Sequence, residues 1–155
     1  MARTVRVVGL GGSLRAASTS LTALKAALEG ATAFGAEVQL ISVRDLGLPL
    51  YTSEHATPAG AHDFADAVYR CDALIWSSPT YHGSVSGSFK NALDWLILLA
   101  ERDPPYLSNK PIGLVSTAGG VQGPAGGQLD GVHRPRATRL ERSAGAARAT
   151  DSAIV

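Results

Sequence analysis

The chain has 155 residues, of which 45% are hydrophobic, and its formal net charge is only +1. This length suits one domain with one core, and the balance of charges argues against nucleic acid or an anionic membrane surface as a partner. Because Cys71 is the single cysteine, an intramolecular disulfide framework is excluded.

Strand and helix patterns alternate along the first 120 residues. An apolar, β-branched run predicts a strand over 4–10, followed by a helix that begins at Ser18 or Thr19 and ends before Gly35. In chain order, the following patterns predict a strand over 37–43, a helix over 59–70, a strand over 72–77, a helix over 88–100 and a strand over 111–116. This alternation predicts an α/β fold, a doubly wound parallel sheet with helices on both faces.

The pattern stops after Gly120. Residues 121–155 contain five arginines and three acidic residues among many glycines and alanines, without a strand-like run. We therefore expect an α/β domain over 1–120, with four recognisable strands and with the fifth strand and last helix missing, and a poorly ordered tail over 121–155.

The N-terminal stretch "MARTVRVVGL" is too short, and too early broken by glycine, for a secretory signal. The sequence also lacks a run of about 18 apolar residues, the length a membrane helix needs. With a single cysteine, these features predict a cytoplasmic protein.

The first strand leads into a glycine loop, "VVGLGGSLRAASTSL", which is typical of a phosphate cradle. The dinucleotide fingerprint fails because Leu14 stands where a third glycine is needed, and the ATP loop fails because its lysine is missing. What remains is a set of polar side chains around a helix start that suits a terminal phosphate: Ser13, Arg15, Ser18 and Ser20. The structural alternative is that Ser18 and Ser20 only cap the helix, with Arg15 solvated.

Two further loops have a similar character. The third strand is followed by "SPTYHGSVSG", and the fourth ends in "STAGG". In an open α/β sheet, ligands bind beyond the carboxyl ends of the strands, so the three loops should meet at one edge. Their small residues would let backbone amides approach a flat ring.

The segments "GSLRAAS", "PTYHGSVSGSFKNALDW" and "STAGG" together resemble the NAD(P)H-dependent FMN reductase family, which has a flavodoxin-like fold. The resemblance covers residues 4 to 120. It implies that the first loop binds the FMN phosphate and that the other two flank the isoalloxazine ring. The residues implied at the ring are Pro79, Thr80, Tyr81, His82 and Gly83 in the second loop, and Ser116, Thr117, Ala118, Gly119 and Gly120 in the third.

The resemblance also implies a reaction. FMN would take hydride from NADPH or NADH and reduce a small-molecule acceptor such as free flavin, a quinone, an azo compound or a metal oxyanion. No catalytic side chain is required, because the flavin carries the chemistry. A homodimer or homotetramer is implied, with residues 48–51 and 88–99 at the subunit contact.

Two other functions are weighed against this one. An electron-carrier flavodoxin would be strongly acidic and would lack Arg15, whereas a truncated and non-catalytic product would explain the tail. Within the site, His82 is interpreted as shaping the pocket rather than donating a proton. Trp76 and Trp95 are expected in the core or at an interface. The four histidines show no metal-ligand spacing, so no metal site is expected.

Overall fold

The computed structural model describes residues 3–54 and 56–118, and the backbone of residues 141 and 142. The strands are β1 (Arg6–Gly11), β2 (Glu37–Ser42), β3 (Ala73–Tyr81), β4 (Ser84–Val85), β5 (Ile112–Thr117) and β6 (Glu141–Arg142). The helices are α1 (Thr19–Ala33), α2 (Ala59–Arg70) and α3 (Gly87–Asp94), and a 3₁₀ turn (Trp95–Leu99) continues α3. All four predicted strands and all three predicted helices are therefore present.

The sheet has the order β2-β1-β3-β5-β6, and β4 pairs with β3 outside that path. β1 pairs in parallel with both β2 and β3, and β3 pairs in parallel with β5. This arrangement confirms the doubly wound parallel sheet. It also brings the carboxyl ends of β1, β3 and β5 together at one edge, because parallel neighbours end on the same side.

The core lies on both faces of the sheet. On one face, Leu24 and Leu28 of α1 pack against Val7 of β1. The larger cluster lies on the opposite face, where α2, α3 and the 3₁₀ turn contribute buried side chains such as Phe64 and Leu96, which are 1% and 2% exposed. Trp95, in the 3₁₀ turn, is also buried, at 2% exposed. Trp95 is thus a core residue, as predicted.

Trp76 is only partly buried, and it packs against the core on the α3 side of the sheet. Its ring meets Phe89 edge to face, with the ring centroids 6.0 Å apart. The expectation that Trp76 belongs to the core is thus met in part.

The prediction of a loop after residue 77 was wrong. β3 continues to Tyr81, turns at His82 and Gly83, and pairs antiparallel with β4. Both turn residues have positive φ, 50° and 79°, as a two-residue hairpin of the right twist requires. Pro79 lies within this extension, although proline cannot donate a ladder hydrogen bond.

The single helix predicted over 88–100 is also corrected. α3 ends at Asp94, and the chain then tightens into the 3₁₀ turn. This turn buries Leu96 and Leu99 and lets Trp95 Nε1 donate a hydrogen bond of 3.0 Å to the Pro49 carbonyl.

The edge beyond β5 differs from the prediction in one detail. The two residues of β6 pair antiparallel with Gly113 and Leu114, a pairing that the composition of the tail did not predict. Apart from this pair, the tail predicted over 121–155 lies outside the described residues. Within the part of the chain that the structure describes, no helix combines the length and hydropathy needed to cross a membrane.

Candidate functional site

Three connections follow the carboxyl ends of neighbouring strands. Loop 1 (residues 12–18) joins β1 to α1, loop 2 (79–83) is the end of the β3–β4 hairpin, and loop 3, predicted over 116–120, begins with the last two residues of β5. In the sheet, Gly11 is paired with Ser77, and Ser77 with Val115. The structure therefore brings the predicted loops to one edge.

Loop 1 is held at both ends by one residue of β3. The Ser77 carbonyl accepts a hydrogen bond of 2.7 Å from the Gly12 amide, and the Ser77 hydroxyl donates one of 2.7 Å to the Ser20 carbonyl. Ser77 is fully buried. Both bonds are therefore shielded from water, and together they fix the span of loop 1.

The interior of loop 1 presents positive and donor groups. Arg15 is exposed and forms no ion pair within residues 3–54 and 56–118. The amide of Ser13 likewise has no hydrogen-bond partner among the described residues, whereas the Arg15 amide bonds to Ser13 Oγ at 3.2 Å. Free amides and a free guanidinium beside the N-terminus of α1 form an environment that favours an anion.

Two of the four predicted phosphate ligands also have structural roles. Ser18 caps α1, and its Oγ accepts a hydrogen bond from the Leu21 amide. Ser20 is only 1% exposed, and its Oγ lies 2.8 Å from Ser18 Oγ. Ser20 is therefore behind the surface of loop 1, where it orients Ser18, and a phosphate would meet Ser13, Arg15 and Ser18 first.

Loop 2 projects from the sheet edge as a tight hairpin. Tyr81 is 54% exposed, and His82 and Gly83 form the exposed tip. The hydroxyl of Thr80 forms a short hydrogen bond with the hydroxyl of Ser116. This bond joins loop 2 to loop 3.

Loop 3 is described as far as Ala118. Ser116 and Thr117 are paired in the sheet with Ser78 and Pro79, so the start of loop 3 runs beside the start of loop 2. The predicted residues Gly119 and Gly120 lie outside the described residues.

Sequence reasoning missed a group of buried hydroxyls behind these loops. Ser77, Ser78 and Ser86 are at most 5% exposed, and Ser86 caps α3 by accepting a hydrogen bond from the Phe89 amide. The density of serine in "SSPTYHGSVSGS" was the available signal, but it was interpreted as loop composition.

The side chains whose pKa the structure shifts lie at the opposite end of the sheet. Burial raises the pKa of the Cys71 thiol, whose Sγ donates to the Val68 carbonyl. Hydrogen bonds from the Arg6 amide and the Arg3 guanidinium lower the pKa of Asp72. Among the described residues, no group of three histidine, cysteine or acidic side chains could hold a metal ion.

Comparisons with known proteins agree with this geometry. The profile of the family described as NADPH-dependent FMN reductase matches residues 5–132. The NAD(P)H-dependent FMN reductase of Pseudomonas aeruginosa is 32% identical over 132 residues, which cover 83% of this chain and 68% of that protein. The NADPH:quinone oxidoreductase of Arabidopsis thaliana is 33% identical over 125 residues, which cover 77% of this chain and 61% of that protein.

A solved structure, the apo form of an NADH:FMN oxidoreductase, superposes with a TM-score of 0.63 at 26% identity, covering 76% of this chain and 60% of that one. The chain thus spans between 60% and 68% of the length of these three proteins. Since the profile matches most of the sequence and the sheet edge carries the expected three loops, the chain belongs to the NADPH-dependent FMN reductase family, with a flavodoxin-like fold.

Proposed function

We propose that this chain binds FMN at the edge formed by the three loops and transfers reducing equivalents from NADPH or NADH to a small-molecule acceptor. The observation that carries the proposal is the convergence of loops 1, 2 and 3 at the carboxyl ends of neighbouring parallel strands, fixed by the pairing of Ser77 with Gly11 and Val115.

The residues present fit FMN in particular. Loop 1 offers Arg15, the Ser18 hydroxyl and the free Ser13 amide, which suit the three oxygens of a terminal phosphate. Gly12 packs against Phe89 without room for a side chain, which keeps the backbone of loop 1 close to α3. The small residues of loops 2 and 3 would leave space for a flat ring.

When bound, FMN supplies the hydride chemistry, accepting a hydride from the nicotinamide and passing the electrons on. The protein's own role would be to bind FMN and to orient its ring toward the nicotinamide. The backbone amides of residues 81–83 would donate to the polar edge of the ring, where negative charge grows on reduction. Tyr81 and His82 would border the pocket, and neither needs to exchange a proton during the reaction.

We further propose that a second copy of the chain covers exposed apolar side chains on the segment before Tyr51 and on the 3₁₀ turn. Leu50 and Ile97 are 81% and 53% exposed. The segments that carry them are held together because Asn91 Oδ1 accepts a hydrogen bond from the Tyr51 amide, and Tyr51 packs edge to face on Trp95. Exposed apolar patches of this kind usually mark interfaces. Light scattering on the eluting protein would give the oligomeric state.

The first test is an absorbance spectrum of the purified protein from 300 to 550 nm, followed by anaerobic addition of NADPH and then NADH. Flavin bands near about 370 and 450 nm that bleach rapidly would support the proposal. Bound flavin that bleaches only slowly would favour an electron carrier. Absence of bands after FMN has been added to folded protein and unbound FMN has been removed by gel filtration would contradict the proposal and favour a truncated, non-catalytic product.

Bleached enzyme would then be mixed with one acceptor at a time, namely free flavin, a quinone, an azo dye and a metal oxyanion. The acceptor that restores the oxidised spectrum fastest identifies the physiological class.

A further inference from the structure

The carbonyl group of Gly12 accepts two hydroxyl hydrogen bonds from α3 and the residue that caps it. Ser86 Oγ donates at 2.6 Å and Ser88 Oγ at 2.9 Å. A carbonyl oxygen has two lone pairs, so these two hydroxyls saturate it. We propose that Ser86 and Ser88 are positioning residues that set the phosphate-binding shape of loop 1, an inference that rests on the proposed function.

The two serines fix the orientation of a peptide plane. The bond between Gly12 and Ser13 is trans, since the one cis bond among the described residues is at Asp103–Pro104. In a trans peptide, the carbonyl and the following N–H point in opposite directions. Holding the Gly12 carbonyl toward α3 therefore turns the Ser13 N–H away from α3.

Among the loop 1 amides that have no partner in the described residues, that N–H belongs to the buried residue. Ser13 is 6% exposed, and its amide finds no acceptor within residues 3–54 and 56–118. A backbone donor with little access to water and no partner is costly, which makes an acceptor from outside the chain favourable. The phosphate of FMN is such an acceptor.

Further contacts make this arrangement rigid. Ser86 Oγ also accepts from the Phe89 amide at 3.2 Å, so the same hydroxyl that contacts Gly12 caps α3. The Ser86 amide donates to Ser78 Oγ at 3.0 Å, which joins the network to β3. The peptide plane of Gly12 is therefore tied to the N-terminus of α3 and to the sheet.

Ser88 gives the sharper test, because Ser86 is also a helix cap and its loss would disturb α3 itself. Ser88→Ala removes one of the two bonds to Gly12 and places a good helix former within α3. Ser88→Thr keeps a hydroxyl. Ser108→Ala, at an exposed position far from the three loops, is the matched control.

Two measurements would be made on each variant, after urea unfolding has confirmed that its fold is intact. The first is the dissociation constant of FMN and of riboflavin, which lacks the phosphate, from flavin fluorescence. We expect Ser88→Ala to raise the dissociation constant of FMN about three- to tenfold and to leave that of riboflavin unchanged. Ser88→Thr should restore most of the FMN affinity, and Ser108→Ala should match the parent protein.

The second measurement is hydrogen exchange of loop 1 amides in the flavin-free protein. We expect faster exchange at residues 13–15 in Ser88→Ala than in the parent or the control. Unchanged exchange and unchanged FMN affinity would overturn the inference, while the proposed function would survive.

Equal weakening of FMN and riboflavin would also overturn the inference, because it would show a general effect on the fold. If the parent protein binds neither flavin, the proposed function fails, and with it the phosphate-positioning role. Hydrogen exchange would then still report whether the tie between Ser88 and loop 1 exists in the free protein.

Discussion

Gly12 lies so close to Phe89 that a Cβ atom at residue 12 would come within 2.7 Å of both Cβ and Cδ2 of that side chain. Real Cβ atoms do not approach other carbon atoms this closely. Loop 1 therefore meets α3 at a point where only glycine fits, and the requirement is one of space.

The first prediction follows from this contact. Gly12→Ala should lower the free energy of unfolding by about 1–3 kcal/mol, because the new methyl group must displace Phe89 or the loop. Gly30→Ala is the control, since a Cβ there meets nothing within 4 Å and the residue is inside α1. That change should raise stability by up to about 1 kcal/mol. Urea unfolding of both variants measures the difference, and equal effects would show that the contact is not tight.

The second prediction concerns Arg15. If its guanidinium binds the phosphate, Arg15→Ala should weaken the binding of FMN by about tenfold at low salt and by less at high salt. The binding of riboflavin, which has no phosphate, should change little. Lys25→Ala removes the same charge from an exposed position on α1 and serves as the control. A similar loss of FMN affinity in both variants would mean that only the overall charge matters.

Asp72 leads to a prediction about pH. Hydrogen bonds from Arg6 and Arg3 hold its folded pKa below the ordinary value of 3.8. Its contribution to stability is therefore present above that value and is lost as the pH falls through the folded pKa. At pH 7, Asp72→Asn should be less stable than the parent protein, and the difference should begin to shrink below about pH 4 and disappear below the folded pKa.

The control for this experiment is Asp45→Asn, an exposed carboxylate that forms no ion pair within the described residues. Urea midpoints would be compared at several pH values. A difference between Asp72→Asn and the parent that persists unchanged to pH 3 would assign the effect to the shape of the side chain instead of its charge.

Cys71 is predicted to be unreactive in the folded protein. Burial raises the pKa of its thiol, and the residue is 5% exposed. At pH 8, reaction with an aromatic disulfide reagent should be at least about a hundredfold slower in the native state than in urea. The release of coloured thiolate measures both rates. Fast native labelling would show that the amino end of β3 opens readily.

His82 offers a test of turn geometry. Its φ of 50° falls in the left-handed region, where asparagine is favoured over histidine. His82→Asn should therefore raise the free energy of unfolding by about 0.5 kcal/mol. The pH profile of anaerobic flavin reduction should keep its shape, because no proton is assigned to this residue. If the rate of flavin reduction in His82→Asn no longer rose or fell with pH where the parent rate does, His82 would instead be a proton donor.

The sequence predicted the order of strands and helices because their patterns are local. The apolar run before Gly9 and the spacing of Leu24 and Leu28 depend on the neighbouring residues alone. The motifs also placed three loops at one sheet edge, because parallel strands have a fixed direction. The family resemblance was confirmed by the profile match.

What the sequence did not predict depends on partners distant along the chain. The bond from Ser86 to the Gly12 carbonyl joins residues 74 positions apart, and no local pattern marks it. The extension of β3 was missed because Pro79 is ordinarily a strand breaker. Burial of Ser20 was missed because the residue stands in a polar stretch of sequence. In the structure, the Ser77 hydroxyl donates a hydrogen bond to the Ser20 carbonyl and holds Ser20 against the sheet.

The two hydrogen bonds by which Ser77 holds both ends of loop 1 have a thermodynamic consequence. Since the same residue is a member of the central strand, the loop acquires its shape when the sheet assembles, and its conformational entropy is lost during folding. A ligand arriving later meets a preorganised loop and does not have to order it. Loop 1 should therefore melt together with the sheet, in one cooperative transition, even in the absence of flavin.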